Sequence, residues 1–410
     1  MTPPAARPRP SITARVRRRG ADVPIVVWLG FAAFIGLGLP EATLGVTWPS
    51  IRTEMGRPLS SLGIVLGALT VGYLPSSALS GRVAARVGGG RALAGASAVY
   101  AAGLSLLVLG PTFEFVVAGS LLNGIAAGQI DPGLNAHFAL RHGSRAMNLL
   151  HASFGIGATV GPFVATMTLR ADGSWRVAYL LYMVVQLVLL VGFVATRDRW
   201  AAPPADPASP TPRHEPPVHA PARARLTVVL SLVNFFLYTG LEVGAGVLAF
   251  TLLTESRGFS DTAGGMWAAA FWAGLTVGRV ALGVAGHRLA AETTLRVSVV
   301  GAIGTSALIW LDPAGLGAAG FPLLGVVLAG IFPSLVLLTP RRVGTERTAD
   351  VVGVQFALAG IGASAVPAAI GVLADGALER IGPSLFGLAV SIAVLDVILA
   401  RLHAGGVDAS

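Results

Sequence analysis

Polar and apolar positions in this chain do not alternate at the period of a half-buried strand. They form long apolar runs divided by short polar breaks. The runs occupy 23–50, 60–82, 92–110, 113–140, 147–169 and 176–196, then 226–253, 263–285, 294–311, 315–339, 351–374 and 382–401. Each reaches the roughly 18 residues that mark a membrane-spanning helix. The pattern predicts an all-α membrane protein of twelve transmembrane helices in two six-helix halves. The halves are 23–196 and 226–402, joined by a proline-rich cytoplasmic linker at 197–225 and flanked by a basic, disordered tail at 1–22 and a short one at 403–410. A signal peptide is excluded at the N-terminus, because its apolar core would be about 7–15 residues long and would not be followed by eleven more runs.

Composition agrees with the pattern. Only 12% of residues are charged, against about 25% in soluble domains. With no cysteine in the chain, disulfides, thiolate metal sites and cysteine nucleophiles are ruled out. A net charge of +9 could suit a nucleic acid, but all 29 basic residues are arginine and they cluster between apolar runs. Topology accounts for them: only Arg52, Arg57, Arg170, Arg176, Arg257 and Arg380 fall on one side, leaving 23 of the 29 for the other. By the positive-inside rule both termini are expected in the cytoplasm. The expected setting is a multi-pass protein of the plasma (inner) membrane, a monomer whose partners are the lipid bilayer and a small-molecule substrate, with no nucleic acid.

The halves also repeat. At an offset of 201, Glu41 falls on Glu242, Gly45 on Gly246 and Pro132 on Pro333, while GIGATVGP from Gly155 matches GIGASAVP from Gly360 at an offset of 205. This is a parallel repeat about an axis along the membrane normal.

Ionisable residues inside the runs are the candidate chemistry, since a carboxylate at the bilayer centre costs about 2.5–3.5 kcal/mol on insertion scales. Asp131 precedes Pro132 and Gly133, Glu41 follows Gly38 and Pro40, and Glu242 lies between Gly240 and Gly244. Asp131 and Glu41 are the expected proton carriers. Asn135 shares a four-residue register with Asp131, and Asn234, Tyr238 and Glu242 share another in the seventh run. With Trp272 and Gln355 these form the expected substrate-binding set. His151 is expected near an inner gate as a hydrogen-bonding residue. Neither a metal-binding HExxH nor a GxxxxGK[ST] phosphate loop is present. No enzyme activity, metal or cofactor is therefore expected beyond a coupling ion, the proton in preference to sodium.

These residues resemble the major facilitator superfamily. Its signature between spans 2 and 3 is G-x-x-x-D-R-x-G-R-[RK], and GRVAARVGGGR at 81–91 keeps Gly81, Arg86, Gly88 and Arg91 while Ala85 replaces the acid. The resemblance implies the major facilitator fold and gating roles for Arg86 and Arg91. Within the superfamily, NLLHASFGIGATVGP at 148–162, YTGLEVGAG at 238–246, FWAGLTVGR at 271–279 and the Asp131-to-Asn135 spacing are similar to the fucose:proton symporter family. That likeness implies proton coupling at Asp131 and Glu41. The resulting expectation is a secondary active transporter moving a sugar or sugar-like solute by alternating access in proton symport. Proton-coupled efflux of an amphipathic small molecule is the alternative, and a non-transporting sensor or scaffold the remote one. A sugar site requires Asn135, Asn234, Tyr238 and Gln355 to converge, whereas an exporter requires an apolar chamber around Trp272 and Phe332.

Overall fold

The computed structural model describes residues 25–200, 222–285, 290–343 and 348–407. The 1–22 tail and most of the 197–225 linker lie outside the described residues. The first half is α1 (Ile25–Glu54), α2 (Leu62–Val87), α3 (Gly89–Leu109), α4 (Phe113–Arg141), α5 (Gly143–Asp172) and α6 (Trp175–Thr196). The second is α7 (Ala222–Thr251), α8 (Asp261–Ala285), α9 (Ala291–Leu311), α10 (Gly317–Leu328), α11 (Ile331–Val343), α12 (Thr348–Ala374) and α13 (Ile381–Val407). Helices α10 and α11 together make the tenth span, so among the described residues twelve spans are long and apolar enough to cross a membrane. The protein is multi-pass.

Backbones pack closely because glycine permits it, as small residues do between membrane helices. A Cβ on Gly157 of α5 would lie 2.2 Å from the Ile35 carbonyl oxygen of α1, and one on Gly124 of α4 would lie 2.0 Å from that of Leu69 in α2. The second half repeats both contacts: Gly362 of α12 meets the Phe236 carbonyl of α7, and Gly325 of α10 meets that of Phe271 in α8, each at 2.2 Å. The sequence repeat is therefore a packing repeat. Gly88 makes the turn between α2 and α3 at φ 89°, a conformation that favours glycine.

The shared proline behaves differently in the two halves. Helix α4 runs on through Pro132, whereas the tenth span breaks after Leu328 and Pro333 stands third in α11. In that first turn its missing N–H costs nothing, because the first four amides of a helix have no partner within it. The start of the expected extended linker is also ordered. Arg197–Trp200 forms a 3₁₀ turn, with Trp200 buried and its ring 4.8 Å from that of His137.

The seam between halves is tight toward one end. Gly45 of α1 abuts the Gly246–Val247 backbone of α7, Gly63 of α2 abuts Ala368 of α12, and Gly265 of α8 abuts Thr166 of α5. At the margin of this end Arg52 of α1 pairs with Glu255, just beyond α7. These contacts fall where α1, α5, α7 and α12 finish and α2 and α8 begin, the arginine-poor end.

The backbone contacts make a steric prediction. Gly157→Leu should destabilise the protein by about 1–3 kcal/mol through overpacking, read as a lowered thermal midpoint in detergent. Gly95→Leu, whose added Cβ meets nothing within 4 Å, should stay within about 0.5 kcal/mol of the parent.

Candidate functional site

Two polar clusters form on opposite halves. In the first half, Asp131 accepts a hydrogen bond from the Tyr73 hydroxyl at 2.6 Å on one carboxylate oxygen and from the Asn135 amide at 2.6 Å on the other. The four-residue spacing in α4 does what a helix surface allows, bringing Asn135 over Asp131. Gln129, two residues earlier, donates to the Ser76 carbonyl at 2.6 Å and to its hydroxyl at 3.0 Å. These bonds fasten α4 to α2, the helix that supplies Tyr73.

In the second half, Tyr238 donates to Glu242 one turn further along α7, and its hydroxyl lies 3.2 Å from the Leu328 carbonyl oxygen where the tenth span breaks. Arg279 of α8 approaches both Glu242 oxygens at 3.3 Å. A carboxylate and a guanidinium at membrane depth thus offset each other, which lowers the cost of burying either.

Glu41 lies between the clusters. Its neighbours Leu39, Pro40 and Ala42 are buried, yet Glu41 is exposed. It stands one helical turn before Gly45, which abuts the Gly246–Val247 backbone of α7, so its exposure is toward the space between the halves. Among the described residues no hydrogen bond or ion pair holds it, unlike the other two acids. His151 is also exposed, its ring 5.7 Å from that of Phe34 in an edge contact, and no hydrogen bond holds it among the described residues. A Cβ on Gly155 would meet Thr276 at 2.5 Å. That contact sets His151, four residues before Gly155, near the depth of Arg279, three residues after Thr276.

The remaining expected substrate contacts do not converge on this space. Asn234 and Gln355 are 0% exposed and Trp272 is 6% exposed. Gln355 accepts a hydrogen bond from Thr339 at 3.2 Å, and Trp272 packs on Phe271 at 5.1 Å between ring centres. Phe332 is stacked among Phe235, Tyr238 and Phe356. Phe332 is partly buried and Phe356 beside it is 50% exposed. Arg86 and Arg91 are exposed on either side of the Gly88 turn.

Sequence reasoning missed Tyr73 and Arg279. Tyr73 is 58 residues from Asp131 and carries no spacing signal. Arg279 was legible in one respect, since it lies within the apolar run 263–285, where a charge needs a partner; it was instead sorted with the topological arginines.

Comparison with known proteins agrees with this architecture. The Major Facilitator Superfamily profile matches residues 27–367. A mouse protein named sodium-dependent glucose transporter 1A is 28% identical over 140 residues, 33% of this chain and 33% of that protein. The chain thus spans about a third of that relative's length. A Bacillus subtilis (strain 168) protein named glucose/mannose transporter GlcP is 22% identical over 335 residues, 80% of this chain and 82% of its own. Among solved structures, the E. coli fucose:proton symporter superposes with a TM-score of 0.60 at 14% identity, covering 93% of this chain and 98% of that one, a likeness of fold. These relatives are named as transporters, and none as an enzyme.

The Tyr73–Asp131 bond can be tested by a double-mutant cycle. Tyr73→Phe and Asp131→Asn should show a coupling of about 1–2 kcal/mol in thermal or denaturant stability. Simple additivity would contradict the bond.

Proposed function

Because the chain belongs to the Major Facilitator Superfamily, we propose that it carries a small hydroxylated solute, a sugar or sugar-like compound, across the inner membrane by alternating access in symport with a proton. The observation that carries this reading is the asymmetry among the three acids at the centre. Asp131 and Glu242 are each held by two side chains, while Glu41 stands unpaired toward the space between the halves. A group free of partners can bind and release a proton, or a substrate hydroxyl, without breaking another contact.

The donors on Asp131 support the proton over sodium. An O–H and an N–H meet the carboxylate, whereas a hard cation would be ringed by oxygen lone pairs. Two polar clusters line the centre, while Trp272 is buried, which favours a hydroxylated solute over an amphipathic one. The glucose-transporter names among the relatives favour a sugar, while the mouse protein is named sodium-dependent.

The seam supplies the gate. With both termini cytoplasmic, the end closed by Arg52–Glu255 and by the Gly45 and Gly63 contacts is the outer one. On this reading the described state is closed to the outside. Return to the outside requires those contacts to part while the opposite ends of α2, α4, α8 and α11 close. The two halves then rock about the central acids, as a repeat with its site at the midplane allows. On this reading Arg86 and Arg91, both exposed, serve the gate that closes at the inner end.

Proteoliposomes test the reading. Wild-type protein should exchange sugars in counterflow and draw protons inward with substrate. Glu41→Gln should retain counterflow within about five-fold while losing substrate-driven proton movement. Absence of counterflow across a broad sugar panel would contradict the transport reading, and intact proton movement in Glu41→Gln would contradict its coupling role.

A further inference from the structure

Arg279 is held less completely than its setting demands. Its side chain is 38% exposed, against 13% for its partner Glu242. Only Nη2 reaches that carboxylate, at 3.3 Å from each oxygen, whereas charge-assisted N–H···O bonds run about 2.7–2.9 Å. Glu242 is held more closely by Tyr238.

A guanidinium presents five N–H donors in a planar fork that fits a carboxylate or phosphate through two nitrogens. Were neutralising Glu242 its whole task, that two-nitrogen geometry would be the low-cost arrangement at this depth. Instead one nitrogen carries both carboxylate contacts, and the Tyr238 hydroxyl is the guanidinium's other hydrogen-bonding neighbour. Nor is it sealed: the buried unpaired nitrogens include Arg52 Nε and Arg257 Nη1 but none of Arg279.

Nearby charged and titratable groups leave the fork available. His151 of α5 stands at similar depth across the seam. Asp131 is satisfied by Tyr73 and Asn135. Glu41, on the first half, is the unpaired acceptor. The space between the halves thus has a donor-rich cation on one wall and an unpaired acid on the other.

We propose that Arg279 is a substrate-binding residue that takes the anionic group of a hydroxylated acid, with Glu41 opposite it for the hydroxyls. The anionic group is the carboxylate of a sugar acid or the phosphate of a sugar phosphate. The proposal rests on the sugar-transport reading and names its substrate class. The sugar acid also suits proton symport, since a carboxylate monoanion entering with one proton leaves the net charge of the cavity unchanged, whereas a phosphate dianion would need two.

The test uses the purified full chain, with thermal shift and counterflow against glucose, glucuronate, gluconate and glucose 6-phosphate. Wild-type protein should bind at least one anionic sugar ten-fold or more tightly than glucose, and the preferred anion distinguishes carboxylate from phosphate. Arg279→Gln should lose that preference, read as a ten-fold or greater fall in the ratio of anion to glucose affinity. Glu242→Gln, which removes the competing carboxylate, should tighten anion binding three-fold or more, and it keeps the proposal testable if Arg279→Gln does not fold. Equal binding of glucose and the acids by wild type, a preference surviving in Arg279→Gln, or unchanged anion binding in Glu242→Gln would overturn this proposal alone. Failure of every sugar, neutral or acidic, to bind or exchange would overturn the transport reading with it.

Discussion

A charge held at hydrocarbon depth must be met by a partner or by water, and the organisation of this bundle follows from how its three central acids meet that requirement. Asp131 is met by Tyr73 and Asn135, and Glu242 by Tyr238 and Arg279. Each solution lies within one half and joins two of its helices, α4 to α2 and α7 to α8. Glu41 has neither arrangement, so its requirement falls on the space between the halves. That space can open only because the seam is closed elsewhere.

Close backbone contact makes the closure possible. Glycine at Gly45 and Gly63 lets α1 meet α7 and α2 meet α12 without intervening side chains, and Arg52–Glu255 adds an ion pair at the margin. The pair is partly exposed, so it contributes modestly and can part at little cost. The contacts within each half are of another kind. Gly157 on Ile35 and Gly124 on Leu69 bring helices of the same half into direct backbone contact. A transporter that rocks needs both: rigid units, and a seam whose contacts separate cheaply.

Much of this was legible in the sequence, because the membrane restricts what a chain can do. Apolar run length gave the twelve spans, and the offset of 201 residues linking Glu41 to Glu242 exposed the repeat. The Asp131–Asn135 pair was readable because its spacing is local to one helix. Tyr73 and the Arg279–Glu242 pair were not, since choosing a partner between helices depends on tertiary register that spacing along one helix does not encode. Burial separated the expected substrate residues for the same reason: Asn234 and Gln355 share a polar character with Asn135, but their helix faces turn into the second half. Pro132 and Pro333 are equivalent in sequence yet differ in effect, because only the second stands beside a break in its span.

The central claim is that the halves move as units about the acids, with one end closing as the other opens. The absence of native cysteine permits direct measurement by paired spin labels. One pair, at Pro58 and Asp375, spans the closed end, and a second, at Ala85 and Ala290, spans the other. Distance distributions recorded across a pH series, with and without a transported sugar, should show the two pairs changing in opposite directions, the first lengthening as the second shortens. Two distances that stay fixed under every condition, or that lengthen together, would contradict the account.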